Sequence, residues 1–205
     1  MYTYKNKSVV MSNLASKFFN YRSYTPIPFV LLMLLFAYPN VWSIIIGFII
    51  ALKGELIRLW GVSWAGSETR TTGKVGGTYL IVSGPFAHLR NPLYLGNILI
   101  YTGLGIMSFA LFPWLQIAGF IFFSFQYYLI VKEEEKYLED TFGEEFIEYK
   151  KNVPRFIPRI TKYRAGNIEQ PVYALKKGLR SERRSLQAFS IVAVTILILW
   201  FLRRF

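Results

Sequence analysis

Two uncharged apolar stretches, residues 93–112 and 114–131, separated only by Pro113, constrain this chain more than any other feature. Each is about the ~20 residues that a helix needs to cross the hydrocarbon core of a bilayer. A tight turn at the proline would make them a hairpin. Three further apolar segments extend the pattern. Residues 41–60 are similarly long but carry Lys53, Glu55 and Arg58 in the last two turns, so that end must face a polar cavity or the interface. Residues 28–38 are short for a span, yet Tyr38-Pro39-Asn40 is a turn signal that pairs them with the next helix. Residues 188–202 are bracketed by Arg183 and Arg184 on one side and Arg203 and Arg204 on the other, and either cross or lie tilted or shallow. The expected fold is an all-α, polytopic transmembrane helix bundle of four to five spans with a cytoplasmic C-terminal helical segment, in a single membrane domain over residues 1–205.

Composition agrees with a membrane rather than a nucleic-acid partner. The chain has 205 residues, 53% of them hydrophobic and 18% aromatic, which is oily for a soluble domain. Its net charge of +12 would suit nucleic acid, but long apolar runs interrupt the bases instead of leaving them on one compact face. The absence of cysteine excludes a disulfide, a thiol nucleophile and a thiolate metal site. His88 is the only histidine and is expected to be a loop residue, so no metal site is expected. The N-terminal residues lack an apolar run followed by a small-residue cleavage site, so insertion through internal helices is expected instead of a cleaved signal peptide.

Orientation follows from bases near helix ends, which resist translocation. The turns at Pro39 and Pro113 have none. Lys5, Lys7, Lys17 and Arg22 precede the first span, Arg70, Lys74 and Arg90 lie in the middle loop, and many more follow Val131. All three regions are expected in the cytoplasm, at the inner membrane in a bacterium or the endoplasmic reticulum in a eukaryote. If residues 188–202 span, Arg203 and Arg204 fall on the opposite side. The mostly basic residues 159–187 form a cytoplasmic segment that is either laid on anionic headgroups or a solvated linker.

Two segments can carry chemistry. A glycine-rich loop ends in GPFAHLRNPLYLGN directly before the 93–112 stretch. Pro92 suits the first turn of that helix, and its positive N-terminal end would lie beside Arg90 and Asn91. Such a terminus at the membrane surface can bind an anion or the polar end of a cofactor, or it can be a capped helix whose arginine reaches phosphate headgroups. After residue 131 comes KEEEKYLEDTFGEEFIEYKKNVPRFIP, a helix running out of the membrane with Leu138, Phe142 and Phe146 on one face. Gly143 marks a break and Pro154 an end. Glu134 and Glu135 lie about one turn past the apolar stretch, where one of them can project back toward the loop. The other acidic residues suit a solvated face.

These two motifs, in this order and separated by two helices, resemble the isoprenylcysteine carboxyl methyltransferase and phospholipid methyltransferase superfamily over residues 55–158. Asn91 stands where the best-known members have histidine, which bears on the substrate and on proton handling at that position. The resemblance implies a membrane enzyme that binds S-adenosylmethionine at the cytosolic face. Arg90, Asn91, Pro92, Tyr94 and Gly96 would form one wall of the cofactor pocket, Glu134 and Glu135 another, with Tyr149, Val153, Pro154 and Arg155 closing it. Glu55, Arg58 and Arg155 are the candidates for catalytic roles. An amine acceptor would have to lose a proton, to Glu55 or to the exposed carboxylates after residue 131, whereas a carboxylate acceptor needs no base. Glu55 and Arg58, three apart on one helical face, equally suit a buried ion pair. Gly103 and Gly105 are expected as helix-packing contacts. The acceptor is a lipid or lipid-linked group, either carboxylate or amine. Two other functions fit less of the pattern: a nicotinamide-dependent membrane reductase, and a non-catalytic scaffold recruiting partners through its basic segment.

Overall fold

A computed structural model describes residues 13–66, 80–164, 166 and 168–203. Lys5, Lys7, Arg70, Lys74 and Arg204, which entered the orientation argument, lie outside the described residues. Those residues are all-helical, with no strand. In chain order the helices are α1 (Asn13–Tyr21), α2 (Pro26–Leu35), α3 (Val41–Ala65), α4 (Pro92–Ser108), α5 (Trp114–Phe142), α6 (Glu144–Asn152) and α7 (Leu175–Leu202), with a 3-10 turn at Gly84–Ala87.

Among the described residues only α5 and α7 are both long and apolar enough to cross a membrane. Helix α3 has the length, at 25 residues, but carries Lys53, Glu55 and Arg58. The expected span at 28–38 is instead the ten-residue α2, which at 1.5 Å per residue is ~15 Å long, about half a hydrocarbon core. The 93–112 stretch is helical only as far as Ser108, within the 17-residue α4. Helix α4 stops at Ser108, where Phe109 and Leu111 take positive φ values of 52° and 46°. The Gln116 side chain closes this turn by donating to the carbonyls of Gly105 (2.8 Å) and Ala110 (3.1 Å), and the Ser108 hydroxyl also donates to Gly105 O at 2.9 Å, so that the helix end has side-chain partners. The last apolar segment also differs in extent: it is the distal part of α7, which begins at Leu175, so much of the presumed basic linker is helix.

Local signals account for the remaining boundaries. Asn40 caps α3 in a reciprocal box with Ser43, its side-chain oxygen accepting from the Ser43 amide at 3.0 Å while its own amide donates to the Ser43 hydroxyl at 2.9 Å. Gly143, at φ 53°, separates α5 from α6. Helix α1, which the sequence pattern did not suggest, lies on α5 through Phe18 and Phe19, with Phe18 edge-on to Phe122 and Phe125.

The centre of the fold is the α3–α4 seam. Gly47, Ala51 and Gly54 face Gly96, Ile100 and Gly103, and the backbones approach so closely that the glycine positions have no room for a side chain. A Cβ on Gly54 would lie 2.6 Å from the Gly96 carbonyl oxygen, and one on Gly103 would lie 2.6 Å from that of Gly47. Gly103 is thus a packing contact, as expected; Gly105 packs more loosely, toward Met33 and Gln116. Gly103→Leu should therefore cost on the order of 3 kcal/mol, because backbone rather than a movable side chain must give way. Gly119→Ala, which meets only Phe29 at 3.5 Å, should be tolerated. Thermal unfolding in detergent distinguishes them, and equal melting temperatures would contradict the seam.

Candidate active site

The approach to α4 is tied to the chain after α6 by backbone pairing. Arg90 N donates to Pro154 O (2.9 Å), Arg159 N to His88 O (2.9 Å) and Tyr163 N to Ala87 O (2.8 Å). Underneath, Leu80 and Val82 pack with Phe146, Tyr149 and Val153, and the expected face of Leu138 and Phe142 joins the same cluster. The Tyr149 hydroxyl donates to Phe86 O at 2.7 Å. His88, a loop residue as its sequence context suggested, donates from Nδ1 to Arg159 O at 2.9 Å. Gly84, at φ 60°, lies where any side chain would strike the Trp64 indole.

This pairing delivers Arg90 and Asn91 to Glu135. The Glu135 carboxylate accepts from Arg90 Nε at 2.9 Å, Asn91 Nδ2 at 3.1 Å and Arg155 Nη2 at 2.6 Å. Arg90 also donates to the Lys150 and Val153 carbonyls, its backbone-facing edge capping the end of α6. Burial alone would raise the Glu135 carboxyl, but hydrogen bonds from Arg155 and Arg90 outweigh it and hold the group below its ordinary range. The Arg155 guanidinium is held above its usual value by the same bond. Glu134 faces the other way and accepts from the Tyr94 hydroxyl at 2.5 Å. Burial pushes its carboxyl up to about 7, against the Tyr94 hydrogen bond and the nearby Arg22. Both acids lie beyond Val131, where the apolar part of α5 ends.

Arg90, Asn91, Pro92, Tyr94, Glu134, Glu135 and Tyr149 line a cavity of about 930 Å³. Val153, Pro154 and Arg155 stand behind that wall and brace it through Arg90 and Glu135. Gly96 is on the α3–α4 seam, where a Cβ would come within 2.5 Å of Arg58 Cγ, so its role is to let Arg58 pass. Glu55 and Arg58 line the same cavity, but they do not form the ion pair that their spacing suggested. Arg58 Nη2 pairs with Glu182 of α7 at 2.5 Å and Nη1 donates to Asn97 at 2.5 Å, while Ser185 of α7 donates to Glu55 Oε1 at 3.2 Å. Asn97, Glu182 and Ser185 were missed from sequence. Glu182 did leave a trace there, as the only acidic residue after Glu169, set among bases at the foot of an apolar run.

A family model described as phospholipid methyltransferase matches residues 42–145. The chain is similar to the cobalt-zinc-cadmium resistance protein CzcN of Cupriavidus metallidurans, 30% identical over 144 residues, covering 61% of this chain and 65% of that protein. It is also similar to a protein-S-isoprenylcysteine O-methyltransferase of Xenopus laevis, 32% identical over 131 residues, covering 60% of this chain and 44% of that protein. The nickel-cobalt-cadmium resistance protein NccN of Alcaligenes xylosoxydans xylosoxydans is 25% identical over 147 residues, covering 62% and 67%. The match thus spans less than two thirds of the first two relatives. No solved structure matches.

The arginine–carboxylate network has unequal members, which gives it a test. Glu135 is nearly buried and serves two guanidiniums, whereas the Arg155 side chain is 29% exposed. Glu135→Gln should cost on the order of 3 kcal/mol by leaving buried positive charge uncompensated. Arg155→Ala, which leaves Arg90 in place and whose charge is screened by solvent, should cost about 1 kcal/mol. Equal losses on chemical denaturation would mean that Glu135 is not the hub.

Proposed function

The chain belongs to the phospholipid methyltransferase family, and from that membership we propose that it is an integral membrane methyltransferase using S-adenosylmethionine and a lipid or lipid-linked acceptor. The observation that carries this reading is the meeting of two distant motifs, Arg90-Asn91 before α4 and Glu134-Glu135 at the end of α5, on the wall of one cavity. At about 930 Å³ the cavity has room for a cofactor and the reacting end of an acceptor. The donor set suits S-adenosylmethionine: Glu134 can meet ribose hydroxyls or an ammonium, and Tyr94, Tyr149 and Phe86 offer faces for an adenine or a sulfonium. Bound there, the cofactor would supply an electrophilic methyl group.

The protein's own contribution would be positioning and exclusion of water. Arg90, Asn91, Glu135 and Arg155 hold the wall rigid, which makes Arg155 a brace in this reading rather than a reacting group. On the opposite side Ile27 and Leu31 of α2 and Ala188 and Val192 of α7 line the cavity. Ile27 and Leu31 are also about half exposed on the outer surface. We take the slot between α2 and α7 as the route by which an acceptor enters sideways from lipid. In this reading α2 to α5 and α7 together form a four- to five-span bundle. The bases around α1, Arg90 and the start of α7 keep the site cytoplasmic and meet anionic headgroups.

Isothermal titration in detergent tests the cofactor assignment. S-adenosylmethionine should bind saturably, and affinity should fall as pH drops below about 7, where Glu134 gains its proton. Glu134→Gln should bind weakly and lose that pH dependence. A folded protein that binds a nicotinamide cofactor, and not S-adenosylmethionine, would contradict the proposal.

A further inference from the structure

Residues 155–164, RFIPRITKYR, lie outside every helix and beyond the segment matched by the family model. They carry four bases and no acid. The backbone of this loop is pinned: Arg159 N donates to His88 O and Tyr163 N to Ala87 O, while the Tyr163 ring packs 5.5 Å from that of Tyr149. The Arg159 guanidinium is engaged as well, donating to Asn152 O at 2.6 Å and to the Thr161 hydroxyl at 2.9 Å. On this fixed frame Ile157 is 79% exposed and Ile160 is 97% exposed, the highest value among the large apolar residues described. Lys162 and Arg164 are exposed on the same loop. Apolar residues exposed along α5 or α7 are covered by acyl chains wherever those helices cross a bilayer. Ile157 and Ile160 belong to no helix, and a pinned loop that presents both leaves apolar area in water unless something covers it.

The height of the loop identifies the cover. It pairs with Ala87 and His88, just before α4, and the Arg155 guanidinium lies 5.6 Å from the Tyr128 ring, in the last turn of the uncharged part of α5. The His88 ring lies 6.2 Å from that of Trp60, which is half-exposed on α3. Aromatic rings and bases gather at the level where helices pass from acyl chains to headgroups. We propose that residues 155–164 are an interfacial anchor, in which Ile157 and Ile160 insert among the upper acyl carbons and Lys162 and Arg164 meet anionic headgroups. Apolar side chains interleaved with bases, with no acid in the loop, fit an anionic lipid surface. An acidic soluble protein would match the charge, but it would have to bind at a level that lipid already fills. The anchor rests on the proposed function in one respect, that the helix bundle sits in a bilayer. It adds a direct link between the membrane surface and the cavity wall, because Arg155 at the start of the loop pairs with Glu135.

The chain has no cysteine, so single cysteines can carry a nitroxide in the full protein, reconstituted in nanodiscs of phosphatidylcholine mixed with phosphatidylglycerol. Three positions are compared: Ile160→Cys in the loop, Ile121→Cys on the outer face of α5, and Glu145→Cys on the exposed start of α6. Each label is read as its collisions with oxygen, which concentrates in lipid, over those with a nickel chelate, which stays in water. The expected ratio at Ile160 is at least about twofold that at Glu145 and below that at Ile121, as for a side chain at the headgroup boundary. Omitting phosphatidylglycerol, or combining Lys162→Gln with Arg164→Gln, should lower the ratio at Ile160 and leave that at Ile121 unchanged. A ratio at Ile160 equal to that at Glu145, with Ile121 in lipid, would overturn the anchor alone and assign the patch to a soluble partner. A ratio at Ile160 that ignores both lipid charge and the two substitutions would also overturn it. A water-exposed label at Ile121 would contradict the membrane reading beneath the anchor.

Discussion

Glu135 sits between Arg90 and Arg155, and that triad joins three parts of the chain that share no helix: the approach to α4, the charged end of α5 and the segment after α6. Burying the carboxylate costs several kcal/mol, which Arg90 and the Asn91 amide offset from the α4 side and the more exposed Arg155 offsets in smaller part. The backbone bonds from Arg90 to Pro154 and from Tyr163 to Ala87 bring these groups together. The cavity wall therefore depends on a fold-level contact rather than on one loop. Tyr94 and Glu134, which the triad does not consume, also line the cavity.

A second constraint works deeper in the molecule. The α3–α4 seam is closed by glycines, and the same close approach at Gly96 lets Arg58 reach across to Asn97 and α7. Packing and polarity are coupled there: the residue that permits tight helix contact also permits a charged group within an otherwise apolar bundle. Helix α7 compensates that charge with Glu182, so the helix belongs to the cavity even though it lies beyond the family-matched segment.

What the sequence disclosed was local or motif-bound. The break at Gly143, the capped start of α3 after Tyr38-Pro39-Asn40, the apolar face through Leu138, Phe142 and Phe146, and the family resemblance all rest on short-range chemistry. The two motif halves do meet at one wall. What sequence did not disclose was set by distant partners. Glu182 lies 124 residues from Arg58, and nothing in either neighbourhood encodes that pairing. The nearby Glu55 was the natural guess for Arg58 because helical spacing is the only geometry a sequence offers. Helix α7 starts well before its apolar run because Gly178 and Glu182 have α3 to pack against, and hydropathy alone shows only the exposed distal part. Helix α2 is shorter than its apolar stretch because the chain must turn at Phe36 to Asn40, where Tyr38 N donates to Ser108 O at 2.9 Å.

Methyl transfer in this cavity would act on a molecule drawn from the bilayer. Membranes containing the protein, incubated with methyl-labelled S-adenosylmethionine and then extracted, measure this directly. The proposed function predicts label in a lipid-soluble product and little label with Glu134→Gln. No labelled lipid from a folded protein would contradict the enzymatic reading itself.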